Sequence, residues 1–441
     1  MGIVTMRTWV AFAVLAALLL AATMAWHLPM MLWDHIDLVP MYEAWRSGAL
    51  GSSAFWQVHD GSHLHVAAYA VLLVTTWASG GQPWLDCLAS VVLLVAQALV
   101  LLRIAAAAPA GRIQGVWWLL LLLLALHPGH LVNLQWGWQV AVFISTLGAV
   151  AAITLLTRPA LTVAANLLAV ALATVGVLGF SNTLAVFPVA LGLLALHPAL
   201  QARQRVLLAL PWLAAGAALL AWLSAGRVDP AGGFPGVAEL ALYTLNYLGG
   251  GVSRLATAAA PVWTLLALAS AAFTVATRWQ SALRPWLALM LFGIGCALLT
   301  GLGRAAEYGP GHAFVTRYAS FSLLFWFGWA GVMLVAWRDG RPPWRRSVRP
   351  LLAALLVFVL ANGVHMAKQA REIHDRALDY AAHIASTPHP DPVVMEAAFG
   401  WRADAAAGHL ERLRARSFAP FEAVACGVGP ESGQDEAGCP Q

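Results

Sequence analysis

The sequence predicts an all-α protein threaded many times through a bilayer, and three features carry that prediction. Of its 441 residues, 61% are hydrophobic and only 10% are charged, where soluble domains run near roughly 25% charged. Runs such as Val91–Leu102 and Trp117–Leu126 are continuously apolar, without the in–out alternation of barrel strands. The remaining charges fall mostly between such runs. Lipid offers no partner to a free backbone group, so a spanning chain must form helices or a closed barrel. The missing alternation selects helices.

A spanning helix needs about 20 apolar residues. Stretches of that kind lie near 8–28, 63–79, 84–105, 114–128, 138–157, 160–178, 183–197, 206–224, 254–276, 285–302, 315–337 and 350–366. The first is too long for a signal-peptide core and has no small-residue cleavage site before Trp26-His27-Leu28-Pro29, so it reads as a retained helix. The net charge of +5 is almost wholly arginine, with one lysine at 368. These basic residues are spread over short loops, which gives no support to a nucleic-acid partner; they report topology instead.

Arg338, Arg341, Arg345, Arg346 and Arg349 crowd one loop, which the positive-inside rule makes cytoplasmic. Counting back places Arg278 and Arg284, Arg203 and Arg205, Arg158, and Arg103 to Arg112 on the same side. Arg7 also puts the N-terminus inside, so the two counts clash by one crossing unless one candidate does not span. The weakest is 63–79, which starts with His63 and His65, holds Thr75 and Thr76, and ends in Ser79-Gly80-Gly81. About eleven spans result, with a juxtamembrane helix in the first outer loop, the N-terminus inside and the C-terminus extracytoplasmic. Residues 1–366 form the membrane domain and 367–441 a partly helical tail, with helical stretches at Ala367–Ser386 and Val394–Ala415. The tail holds 11 of the 20 acidic residues, and its Cys426 and Cys439 could pair outside the cell. Cys87 and Cys296 lie in apolar spans and read as packing residues.

This threading collects the polar residues on the outer side. Asp34 and Asp37 follow the first helix three residues apart, a spacing that puts both carboxylates on one face of a turn. They suit a general base or a divalent-cation site such as Mg or Mn; alternatively they solvate the helix exit or cap 38–47. His59, Asp60, His63 and His65 could bind a metal or hydrogen-bond to headgroups, with His59 and His63 on one face if that stretch is helical. Arg304 and Arg317 flank a Gly-rich loop with Glu307, Tyr308, His312 and Tyr318. They suit a lipid phosphate, or else snorkel to the interface or pair with Glu307. Asn133-Leu134-Gln135-Trp136-Gly137-Trp138-Gln139 offers amides and indoles to a sugar, or forms part of an aromatic belt.

Many spans, with an acidic motif and the non-spanning 63–79 helix in the first outer loop, resemble the GT-C superfamily of membrane glycosyltransferases. The chain's shorter motifs are Asp34-His35-Ile36-Asp37, His59-Asp60-Gly61-Ser62-His63, Asn133 to Gln139, and Gly303-Arg304 through Thr316-Arg317-Tyr318. More narrowly, they look like an uncharacterised bacterial group of that type. The likeness covers the layout of residues 8–366, through short motifs, and leaves out the tail. It implies transfer of a sugar from a polyprenyl-phosphate donor to a glycan or lipid acceptor of the cell envelope. Asp37 or Asp34 would then be the base or a metal ligand, and Arg304 and Arg317 would hold the donor phosphate. His59 and His63 would position substrate, with Gln135, Gln139 and Tyr318 as further contacts. Ser62 and Leu64 stand where the group often has an acidic residue and an arginine, and Thr316 where it commonly has serine. These departures imply a different substrate or lower activity.

Other classes make different demands. A transporter or lipid flippase typically places ionisable groups at mid-membrane, where these spans carry few. A polysaccharide polymerase would use a large central outer loop with paired arginines; here the 225–253 loop is moderate, with Arg227 and Arg254 near its ends. A non-catalytic scaffold would be indifferent to Asp37→Ala or Arg304→Ala.

Overall fold

A computed structural model describes residues 5–107, 115–226, 233–339 and 342–421. The structure is 84% helical, with almost no sheet, so the protein is all-α. Nine helical stretches among the described residues are long and apolar enough to cross a membrane, and the chain is a multi-pass helical membrane protein. Cys426 and Cys439, with their expected pairing, lie outside the described residues.

The principal helices are α1 (Met6–Trp26), α2 (Leu38–Arg46), α3 (Val66–Ala78), α4 (Trp84–Ala107), α5 (Gly115–Ala125), α6 (Val140–Leu156), α7 (Val163–Gly179) and α8 (Val186–Ala195). There follow α9 (Ala202–Ala225), α10 (Val237–Ser253), α11 (Ala260–Arg278), α12 (Arg284–Tyr308), α13 (Ala319–Asp339), α14 (Pro342–Ser386), α15 (Pro392–Phe399) and α16 (Ala403–Ala415). The stretch at 63–79 becomes α3, with 13 residues, about 20 Å at the helical rise and short of the roughly 30 Å hydrocarbon core. One helix, α14, runs through residue 366 without a break.

The apolar surface explains why this chain needs lipid. The helix Thr316–Arg338 is buried within the bundle, so α13 is central. At the rim, α9 leaves Val206, Leu207, Leu210, Leu213 and Leu220 exposed, an apolar face that water would penalise. Between helices, polar side chains satisfy one another. Asn166 donates to Leu208 O at 3.0 Å and accepts from Trp212 Nε1 at 3.0 Å, and Asn182 donates to Thr300 at 3.0 Å. Cys87 and Cys296 are buried and unpaired, as packing residues would be.

The structure corrects the 225–253 loop. Most of it is α10, which a kink at Ala256 separates from α11. Its Tyr, Asn and Gly-Gly-Gly content reads as loop, yet the glycines are what allow close packing: a Cβ on Gly249 would sit 2.3 Å from Ala260 O. Arg254, expected just beyond an open loop, is buried; it donates to Phe314 O and, at 2.7 Å, to Val315 O.

The loops with Arg158, His197, Arg205 and Arg284 gather at one end of the bundle: His197 contacts Arg158 O at 3.1 Å, Arg205 donates to His197 O at 3.1 Å, and Arg284 donates to Leu193 O at 3.0 Å. The segments carrying Asp34, His59, Asn133, Arg304 and Arg317 meet at the other end. The tail helices α15 and α16 dock there through Met395, Ala398, Phe399, Leu410 and Leu413, all buried.

Candidate active site

After α1 the chain makes a 3-10 turn, Trp33–Asp37, that leads into α2. This turn aims both carboxylates at one point, as the spacing predicts, but what they meet there is Arg402. The side chains are Arg402 Nη1–Asp34 Oδ1 at 2.7 Å, Nε–Asp37 Oδ2 at 2.7 Å and Nη2–Asp60 Oδ2 at 2.6 Å. Arg402 is 4% exposed against 26–34% for its three partners, and its guanidinium stacks 3.8 Å above the Trp401 ring. One fork of donors thus ties the α1 exit, the first loop and the tail into a single charge cluster.

Asp60 reaches this cluster through a hairpin. Val58–His59 pairs antiparallel with His63–Leu64, placing His59 opposite His63. The connecting turn needs positive φ at Asp60 (48°) and Gly61 (64°), which aspartate and glycine tolerate better than most residues. The two histidines are therefore cross-strand neighbours, not residues on one helical face. His59 Nε2 lies 3.3 Å from Asp60 Oδ2 and 3.9 Å from Asp37 Oδ2. His63 stacks on Phe180 at 4.0 Å, and buried His65 anchors on Gly179 O at 2.9 Å.

Burial raises the Asp34 pKa, with Arg402, His59 and Arg317 acting in opposition. Burial alone would lower the Arg402 pKa, but its carboxylates, Asp34 first, raise it. Burial holds His63 well below its ordinary value and lowers His35 and His65 to about 3, so these rings are neutral at pH 7. Asp34, His59 and Asp60 each offer a donor atom, all within 4.8 Å of one another. The set suits an oxygen-preferring divalent cation, which would have to displace the Arg402 guanidinium.

Two cavities flank the cluster. The larger, about 470 Å³, has Asp60, His63, Arg304, Arg317 and Tyr318 in its wall. Its remaining wall includes Leu220 and Leu223 of α9 with Leu299 and Leu302 of α12. The smaller, about 330 Å³, lies under α14, between Trp33, Asn133, Trp136 and Thr316 on one side and Arg376 and Tyr380 on the other. Arg317 lines both. Asn133 fixes its turn by donating to Arg317 O at 3.1 Å and to Ser320 Oγ at 2.8 Å.

Asp34, Asp37, His59, His63, Arg304, Arg317 and Tyr318 thus converge around one cluster and its larger cavity. Gln135 and Gln139 do not: both are buried and line neither cavity. The surrounding acceptors assign the Gln135 amide nitrogen to the α14 side, an orientation in which it donates to Ala370 O at 3.0 Å. Of the departures noted above, Ser62 lines the larger cavity and Thr316 the smaller, whereas Leu64 is buried. Arg402 is the residue that sequence reasoning missed. It lies 365 residues from Asp37, in a tail outside the recognisable motifs, and no spacing links them. Compared with known proteins, the chain matches no family model, no curated protein and no solved structure.

Proposed function

We propose that this protein is a membrane glycosyltransferase that moves a sugar from a polyprenyl-phosphate donor to a glycan or lipid acceptor. The reading places the reaction at the extracytoplasmic face of a bacterial plasma membrane, with the N-terminus inside. The arginine-bearing loops at the opposite end of the bundle support that orientation.

The larger cavity is the observation that carries the reading. It joins Asp60, a member of the carboxylate cluster, to Arg304 and Arg317, and the rest of its wall includes leucines of two apolar helices beside Ser224, Thr300 and Glu307. A lipid-linked sugar phosphate needs that combination: cations for the phosphate, an apolar flank for the first isoprenoid units, and carboxylates at the sugar. No carboxylate among the described residues forms an ion pair with Arg304 or Arg317, so both guanidinium groups can accept an anionic ligand.

In an inverting displacement, Asp37 or Asp34 takes the proton from the acceptor hydroxyl. The acceptor oxygen attacks the anomeric carbon as the bond to the donor phosphate oxygen breaks. The departing polyprenyl phosphate carries the growing charge, which Arg304 and Arg317 stabilise. His63 packs at the cavity wall and positions the donor. Arg402 occupies the carboxylate oxygens that would take this proton, so it has to withdraw, with α15 and α16 acting as a lid.

Reconstituted vesicles loaded with a polyprenyl-phosphate [14C]sugar test the proposal. Labelled product formed by wild type, and lost in Arg304→Gln, supports it. Movement of the donor between leaflets with no product would replace it with a lipid flippase.

A further inference from the structure

The smaller cavity has no role in holding the donor, yet its walls are those of a binding site. Trp33 and Trp136 pack edge to face at 5.0 Å. Trp33 holds φ at +52°, a conformation that bulky residues rarely adopt and that persists only where the surroundings impose it. The strain keeps the Trp33 ring in the cavity wall at the residue directly before Asp34. Across the space, α14 supplies Tyr380 and Arg376. The Arg376 guanidinium bonds to Glu372 O of its own helix at 3.3 Å, and no carboxylate of the described residues forms an ion pair with it. Arg317 closes the end shared with the larger cavity.

From these walls we infer that the smaller cavity is the acceptor site and that it takes an anionic saccharide. The inference rests on the transferase reading and names the substrate class of that site. About 330 Å³ falls at the small end of ligand pockets, enough for a short sugar segment. Indole and phenol rings offer the stacking and amphipathic edges that a sugar ring uses. Arg376 and Arg317 would bind its charge, whether that charge is a uronate carboxylate or a sugar phosphate. Trp33 precedes Asp34 in the same turn, and Arg317, which lines both cavities, stands between the saccharide and the donor phosphate.

Equilibrium binding to the full-length protein in detergent, without donor, tests this with three probes: trigalacturonate, glucose 6-phosphate and the neutral maltotriose. Saturable binding of an anionic probe is expected, weakened at least about tenfold by Arg376→Gln and by Trp33→Asn, and unchanged by Arg203→Gln, an exposed arginine at the opposite end of the bundle. Asparagine tolerates positive φ, so Trp33→Asn removes the ring without forcing the turn. Trigalacturonate binding the tighter identifies a carboxylate; glucose 6-phosphate binding the tighter identifies a phosphate. Equal binding of maltotriose, or anionic binding indifferent to Arg376→Gln, overturns the inference. Hydrolysis of the donor by water, measured without acceptor, reports the transferase reading separately and would survive failure of this site.

Discussion

Arg402 Nε lies 2.7 Å from Asp37 Oδ2, across 365 residues of chain. The same guanidinium holds Asp34 and Asp60, so the docked tail and the candidate site are one electrostatic object. Removing one partner of a fully buried pair costs about 3–5 kcal/mol. Here Arg402 is buried but its carboxylates are up to 34% exposed, so solvent will relieve part of that. Arg402→Ala is expected to destabilise the protein by about 2 kcal/mol. Arg402→Lys should recover only part, because an ammonium cannot present a fork to three carboxylates. Thermal unfolding in detergent reads both; an unchanged Arg402→Ala would remove the cluster from the stability account.

The tail is held at a second point. Phe418 covers Gly81, where a Cβ would meet its ring at 2.1 Å, and Gly81 has φ of +87°. Gly81→Ala therefore both strains the turn and evicts Phe418. Cleavage between Ser386 and Pro392 by an added protease should become faster by about tenfold, corresponding to roughly 1.4 kcal/mol of lost docking. Unaltered cleavage would mean that Phe418 does not hold the tail.

By contrast, the bidentate pair of Arg416 with Glu43 sits at the rim, 36% and 31% exposed. Arg416 keeps the Glu43 carboxyl below its usual range, chiefly through their hydrogen bonds. Exposed pairs contribute about 0–1 kcal/mol, so Glu43→Gln should barely shift the melting temperature. A large loss of stability would show that this rim contact is energetically central.

Acid should loosen the site end. His35 and His65 have pKa lowered to about 3 by burial, so between that value and about 6.5 the unfolded chain binds protons that the folded one refuses. Stability contributed by each ring is present above about pH 6.5 and falls by about 1.4 kcal/mol per unit on acidification. Asp34, raised by burial, acts in the opposite sense, whereas His63, held well below its ordinary value by burial, acts with His35 and His65. Chemical unfolding at pH 7 and pH 5 should show lower stability at pH 5, and His65→Gln should flatten the dependence. A protein more stable at pH 5 would contradict this balance.

Gly249 tests the helix that looked like a loop. With Ala260 O 2.3 Å from a Cβ built there, Gly249→Ala cannot be absorbed by rotating a side chain. It should separate α10 from α11 and abolish recovery of folded, monodisperse protein. Normal recovery would mean that the two helices pack elsewhere.

Most helices were legible because length and continuous apolarity are local signals; α10 was not, since its burial depends on glycines meeting a neighbouring backbone. The convergence of Asp34, Asp37, His63, Arg304 and Arg317 followed from charge-counting, which sorts loops by side. The hairpin at 58–64 was missed because two residues per strand leave no alternation to read. Gln135 looked like a sugar contact from its aromatic neighbours, yet its amide serves α14. Arg402 had no signal at all: a contact made by tertiary docking leaves no mark in spacing.

Transfer of labelled sugar from a polyprenyl-phosphate donor by purified protein, comparing wild type with Asp37→Asn, Arg304→Gln and a chain ending after Ser386, tests the central claim most directly. Transfer by wild type is expected, with a loss of at least about 100-fold in kcat for Asp37→Asn, in the range general-base removal gives, a comparable loss for Arg304→Gln, and faster transfer by the chain that lacks α15 and α16. Undiminished transfer by folded Asp37→Asn and Arg304→Gln would contradict it.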